Sequence, residues 1–216
     1  MRSVVIPMLC LTCLSAAALA QDATTQAATE PGAEEEAGWA FSASAYYFFV
    51  PHTHGYVQPT FTADRDWLHL EARYNYEDQN TASVWAGYNF SGGKKLEWEI
   101  TPMIGGVFGD ANGVAPGYKG SLTWGNFELY SEGEYVFDTN ESSDSFFYNW
   151  SELTYSPTHW FRFGVVAQRT RAYDTDRDIQ RGLLVGFTYK RLDFSAYVLN
   201  PDESDPVVAI AARLDF

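Results

Sequence analysis

Cysteine is almost missing from this chain. Cys10 and Cys13 both fall within the first twenty residues and none follows, which excludes a disulfide framework or a thiolate metal site for everything after them. Basic residues are also scarce: 14 Lys and Arg stand against 28 Asp and Glu, a formal charge of −14. Binding to a phosphate backbone needs clustered Lys and Arg, so nucleic acid is excluded as a partner. No apolar run is long enough to cross a bilayer as a helix. The longest, Val4 to Leu14, is too short and wrongly flanked. No apolar stripe at helical spacing appears after residue 38. Aromatics, in contrast, make up 17% of the chain, against only 19% charged residues. So many rings need a surface to bury against, which excludes disorder for the bulk of the chain.

The organisation reads in three parts. Residues 1–20 carry Arg2, the short apolar stretch and an Ala18-Leu19-Ala20 cleavage pattern, the mark of a secretory signal peptide. Residues 21–38 hold Pro31, Gly32 and the run Glu34-Glu35-Glu36 without an aromatic, and read as a flexible acidic tail. A docking role toward a basic partner is conceivable for the tail; a solvated spacer is the plainer reading. Residues 39–216 form the domain.

In that domain the period is two. Twelve candidate strands follow, at about 39–50, 55–63, 67–77, 81–90, 95–105, 116–124, 127–137, 145–155, 160–171, 179–189, 193–199 and 206–216. Phe127, Leu129, Tyr135 and Phe137 alternate with Glu128, Glu132 and Glu134; Leu96, Trp98 and Ile100 alternate with Glu97 and Glu99. Alternation over such lengths argues strand over helix. Connections alternate too. Asp64-Arg65, Ser91–Lys94, Gly125-Asn126, Ser156–His159 and Arg191-Leu192 are tight, whereas 106–115, 138–144, 172–178 and 200–205 are longer and polar. Gly125-Asn126 suits a two-residue hairpin that sets Trp124 opposite Phe127 and Lys119 opposite Glu132.

A soluble sandwich and a membrane barrel could both use this pattern. Three features favour the barrel: strands long enough to cross hydrocarbon when tilted, an even strand count with short and long connections at opposite rims, and aromatics near strand ends. One expected belt holds Trp39, Trp67, Phe90, Trp124, Phe127, Trp160, Tyr189 and Phe216, and the other holds Tyr47, Phe49, Tyr76, Phe137, Phe146 and Tyr173. The chain thus resembles a bacterial outer-membrane β-barrel of the porin-like class over 39–216. Its last strand, Val208-x-Ile210-x-Ala212-x-Leu214-x-Phe216, looks like the terminal signature that the barrel assembly machinery reads, carried here by Ile210, Leu214 and Phe216. The resemblance implies an all-β closed antiparallel up-and-down barrel, location in a Gram-negative outer membrane, periplasmic termini and long loops outside. It also implies contact with outer-membrane lipid and lipopolysaccharide.

The expected lumen lining is Glu71, Arg73, Glu97, Glu99, Lys119, Glu128, Glu132, Glu134, Arg162 and Arg213, with His69 and Glu152 beside them. An acidic wall at Glu97, Glu99 and Glu128 would face a basic wall at Arg162 and Arg213 and favour cations. This predicts a passive, weakly cation-preferring pore for small solutes, with no cofactor. Two alternatives stay open. One is a structural barrel whose charges pair and fill the lumen. The other is an outer-membrane hydrolase using His52 or His54, for which no nucleophile motif stands out. His52-x-His54 as a metal pair and Asp174-x-Asp176-x-Asp178 as a partial calcium loop are weak patterns beside solvated acidic loops.

Overall fold

The computed structural model describes residues 38–139, 145–172 and 178–216. The expected leader and nearly all of the acidic tail lie outside the described residues, as do Asn140, Tyr173, Asp174 and Asp176. Of Asp178 only the backbone is described.

Alternation of bulky and polar residues gives thirteen strands: β1 (Ala40–Phe49), β2 (Tyr56–Arg65), β3 (Leu68–Tyr74), β4 (Ala82–Tyr88), β5 (Phe90–Gly92), β6 (Leu96–Phe108), β7 (Gly113–Trp124), β8 (Phe127–Asp138), β9 (Phe146–Thr158), β10 (Phe161–Ala172), β11 (Asp178–Tyr189), β12 (Leu192–Leu199) and β13 (Val207–Asp215). Strands β4 and β5 are one wall strand interrupted at Asn89, since both pair with β6. The wall is therefore twelve strands around. It closes where β1 meets β13, with Ser42 opposite Asp215 and Phe49 opposite Val208. Closure leaves no unpaired edge, the condition for a sheet to stand in hydrocarbon. Phe41 and Phe216 seal the seam through two backbone hydrogen bonds of 3.0–3.1 Å.

The Gly125-Asn126 hairpin forms with the expected register, and Gly125 takes a positive φ of 60°. Two other tight turns sit elsewhere than expected. Arg65 pairs with Leu68 and Tyr189 with Leu192, so the turn residues are Asp66-Trp67 and Lys190-Arg191. Asp66 and Lys190 each supply the positive φ that a two-residue hairpin needs at its first position. The stretch 106–115 is mostly strand rather than a long loop. Val107 pairs with Gly113, leaving only 109–112 as the turn. Asn112 closes that turn through its side chain to Gly109 (Nδ2 to O, 2.6 Å), and the Ala111 amide donates to Thr81 Oγ1 at 3.0 Å. The turn is tied to the rim at Thr81 and tucks Ala111 against the interior cluster of Trp85 and Met103.

The outer face is a continuous apolar band. Leu96, Trp98, Ile100 and Ile104 of β6, Leu129 of β8, Leu183 and Val185 of β11 and Ile210 and Leu214 of β13 are all exposed. Inward partners on the same strands, such as Met103, Val136, Leu184 and Ala209, are buried. This inside-out burial places the barrel in a membrane, because water would leave the whole exterior exposed as an apolar surface. Trp67, Trp124 and Tyr189 stand exposed at the short-turn rim and Phe137 at the other. Two expected belt members point inward instead. Tyr76 lies past the end of β3, where Asn75 at positive φ breaks the alternation. Phe146 shares the inward parity of Tyr148, Trp150 and Glu152 and packs on the Trp85–Val136 cluster. A few polar side chains do face outward at mid-height, and they satisfy one another: Asn149 Nδ2 reaches Tyr118 Oη (2.9 Å) and the Glu132 carbonyl (2.8 Å), and Ser151 donates to Asn149 Oδ1 (3.1 Å).

Two apolar clusters fill the inside toward the long-loop end. One gathers Phe48, Trp150, Val166, Leu184, Tyr197, Leu199 and Ala209; the other gathers Trp85, Met103, Val107, Ala111, Ala115 and Val136. Gly105 is what lets Trp85 lie flat against the wall, because a Cβ there would sit 2.4 Å from the indole. Gly105→Ala is expected to displace Trp85 and cost about 1–3 kcal/mol, read as a lower midpoint of urea unfolding in lipid vesicles.

Candidate functional site

Inward parity runs through His69, Glu71 and Arg73 on β3, Lys119 on β7, and Glu128, Tyr130, Glu132 and Glu134 on β8. At mid-height all of these but Glu128 meet. Arg73 Nε donates to Glu71 Oε1 at 2.5 Å and its Nη1 to Glu134 Oε2 at 2.7 Å. Lys119 Nζ donates to Glu71 Oε2 and lies 3.8 Å from Glu132 Oε2. The expected Lys119–Glu132 pair is therefore the longer of two contacts. His69 turns Nε2 to Glu71 (3.0 Å) and Nδ1 to Asp64 (2.7 Å). Glu132 accepts from Tyr76 Oη at 2.5 Å and Tyr130 Oη at 2.6 Å. The Arg73 guanidinium lies over the rings of Tyr76 and Trp85, 4.1 and 4.5 Å from their centroids.

These side chains are desolvated. Glu71, Arg73 and Glu134 show only 1–2% side-chain exposure. Buried charges are tolerable when each is paired and hydrogen-bonded, and Glu71 alone joins three basic groups. Carboxylates still outnumber cations here. Glu77, in the loop after β3, lies 3.8 Å from Arg73 and accepts from Ser83 Oγ at 2.5 Å. Its other oxygen and Glu134 Oε1 have no hydrogen-bond partner. Burial pushes the Glu77 carboxyl above its usual range, which favours a neutral form and eases the excess.

Aromatic contacts complete this waist from the opposite wall. Tyr46 of β1 meets Trp150 of β9, ring centroids 6.2 Å apart, although β1 and β9 lie five strands apart around the wall. Tyr76, just past β3, meets Tyr148 of β9 at 5.4 Å. Tyr197 of β12 packs edge-on against Trp150 at 5.4 Å and donates to Glu152 at 3.0 Å. Opposed walls thus touch, and side chains narrow the lumen at this height. Lys119 and Glu132 keep 19% and 14% side-chain exposure and mark the wettest path through the waist.

Below the waist, toward the short turns, the inward face opens. Glu97, Glu99 and Glu128 are exposed there, and among the described residues no ion pair engages them. Arg162 is held bidentately by Asp193 (2.5 and 2.6 Å) and donates to Ser195 Oγ at 2.6 Å. Arg213 pairs with Asp215 at 2.9 Å. The expected basic wall opposite the acids is thereby corrected: local carboxylates neutralise both arginines, because Asp193 and Asp215 share their inward parity. Alternation alone places Tyr46, Tyr148, Trp150 and Tyr197 inside, and it was the available signal for the residues missed on the aromatic side.

At the outer rim, His52 Nε2 contacts Asp205 at 3.1 Å, both side chains exposed, and no Ser, Thr or Cys hydroxyl or thiol is hydrogen-bonded to it among the described residues. No group of three or more His, Cys, Asp or Glu stands ready for a metal ion among the described residues.

No family model matches the chain, and no curated protein does. Among solved structures, a KdgM porin superposes with a TM-score of 0.60 at 12% identity, covering 81% of this chain and 99% of that one. A KdgM porin in complex with disordered oligogalacturonate gives 0.60 at 11% identity over the same shares. The outer membrane protein opdK from Pseudomonas aeruginosa gives 0.46 at 10%, covering 83% of this chain and 67% of that one. With its closed twelve-strand wall, apolar exterior and charged interior, this chain has the fold of an outer-membrane porin barrel.

Proposed function

We propose that the protein is a narrow passive channel for small solutes, weakly preferring cations, whose throughput is set at the Glu71–Arg73–Glu134 waist. The observation that carries this reading is the exposed and unpaired trio Glu97, Glu99 and Glu128 on the inward face beneath the waist. Unpaired carboxylates lining a confined aqueous space raise the local cation concentration, while the arginines that could offset them are already engaged. The fold shared with porins supports transport over chemistry. Insertion by the assembly machinery through Ile210, Leu214 and Phe216 belongs to the same proposal, since all three face lipid on the last strand or at its end.

A second reading, a barrel with a filled lumen and a structural role, is favoured by the contacts of Tyr46 with Trp150 and of Tyr76 with Tyr148. Conductance in a planar bilayer under a salt gradient separates the two. The channel reading expects small, cation-selective openings, and a triple Glu97→Gln, Glu99→Gln, Glu128→Gln variant is expected to bring the cation-to-anion permeability ratio close to unity. Silence from a folded, inserted barrel would overturn the channel and leave the filled barrel.

A further inference from the structure

The outer wall carries a feature that neither a pore nor its waist requires. Between β8 and β11 a groove of about 530 Å³ runs along the membrane-facing surface, a volume typical of small-ligand sites. Its walls are Leu129, Leu153, Val165 and Leu183, and its floor is lowered by small residues, Ser151 and Ala167. The groove ends at Arg181 and Asp202 near the long-loop rim.

Two outward arginines lie toward that end. Arg181 pairs opposite Ala167, and Arg169 is the next outward position up β10. Arg181 is 75% exposed at its side chain and gives one nitrogen to Asp202 at 2.6 Å, leaving its other donors free. Arg169 lies over the Phe147 ring at 5.6 Å, and its buried Nε has no hydrogen-bond partner. Cationic side chains on the outward face of a barrel are costly against hydrocarbon and become favourable where they reach a charged headgroup. In a chain of net charge −14, outward arginines above an apolar groove form a charge pattern of their own. Their chemistry fits a phosphate oxygen, which guanidinium groups grip through parallel N–H bonds.

We infer that this surface binds a phosphate-bearing acylated glycolipid of the outer leaflet, of the lipid A type, with one acyl chain in the Leu129–Leu183 groove and a phosphate between Arg169 and Arg181. Asp202 sets the geometry of Arg181 and yields part of it to the phosphate on binding. The inference rests on the membrane orientation that places the long loops outside, and not on whether the lumen conducts.

The test uses the folded full-length barrel in detergent micelles, with retained lipid counted by native mass spectrometry. Lipid A, enzymatically dephosphorylated lipid A and phosphatidylcholine are offered in turn. Lipid A is expected to bind at least about tenfold more tightly than the other two, equivalent to about 1.4 kcal/mol. An Arg169→Ala, Arg181→Ala double variant is expected to lose that margin. Ala167→Phe, which fills the groove without changing charge, is expected to weaken acyl binding while keeping the barrel's heat-modifiable gel mobility. Equal retention of lipid A and its dephosphorylated form, or full binding by the double variant, would overturn the inference. Preserved conductance in the double variant keeps this outcome separate from any failure of the channel reading.

Discussion

Replacing Glu71 by Gln is expected to be among the most damaging single changes in the barrel, costing about 3–5 kcal/mol. Three basic groups converge on this carboxylate: His69 at 3.0 Å, Arg73 at 2.5 Å and Lys119. With 1% side-chain exposure, water cannot replace it. Removing its charge leaves the buried Arg73 and the half-buried Lys119 without their main counter-ion, and an unpaired buried charge costs far more than the pair contributes. Glu134→Gln is expected to behave differently. Glu134 shares Arg73 with Glu71 and Glu77, and one of its oxygens already lacks a partner. An amide keeps the acceptor toward Arg73 and relieves the crowding of like charges. Urea unfolding in vesicles, followed by the mobility shift between folded and unfolded bands, checks both. A tolerated Glu71→Gln, or a Glu134→Gln as damaging as Glu71→Gln, would contradict this account of the waist.

The second large effect concerns the aromatic side. Tyr46→Ala combined with Trp150→Ala removes the contact that joins walls five strands apart. Emptying so much packed volume is expected to cost about 3–5 kcal/mol for the tryptophan. In a barrel whose wall hydrogen bonds stay intact, the vacated space should fill with water and raise single-channel conductance several-fold. Tyr148→Ala alone, which breaks the contact with Tyr76 and thins the packing beside Trp150 while leaving the Tyr46–Trp150 contact in place, is expected to give a smaller rise in the same direction. Unchanged conductance in a folded double variant would show that the wet path past Lys119 and Glu132 does not depend on these rings.

Much of this architecture is legible in the residues themselves. Alternation in Leu96–Ile100 and Phe127–Phe137 assigns inside and outside for β6 and β8, and Gly125-Asn126 sets the register that places Lys119 opposite Glu132. The alternation also assigns Glu71, Arg73, Glu128 and Arg162 to the interior. It fails where a positive φ interrupts it, as at Asn75, which sends Tyr76 inward. It also carries no information on which inward residues meet across the barrel. Arg73 and Glu134 are 61 positions apart, and Arg162 and Asp193 are 31. Their contacts depend on strand tilt and stagger, which set the relative heights of strands that are not neighbours. For the same reason the sequence suggests a basic wall at Arg162 and Arg213, whereas stagger brings Asp193 to Arg162 and Arg213 pairs with Asp215 two positions on along its own strand.

The central claim is that the lumen is wet below the waist and packed above it. The absence of cysteine from the whole barrel domain makes single substitutions clean reporters. The most direct measurement is the rate at which a charged, membrane-impermeant thiol reagent, supplied at the short-turn rim, modifies Glu99→Cys and Ala115→Cys in reconstituted barrels. Glu99 is exposed, whereas Ala115, inward on β7 in the upper cluster, has no exposed surface. The account predicts rapid labelling at 99 and labelling slower by orders of magnitude at 115. Comparable rates at the two positions would mean an open, water-filled lumen throughout and would contradict the packed waist.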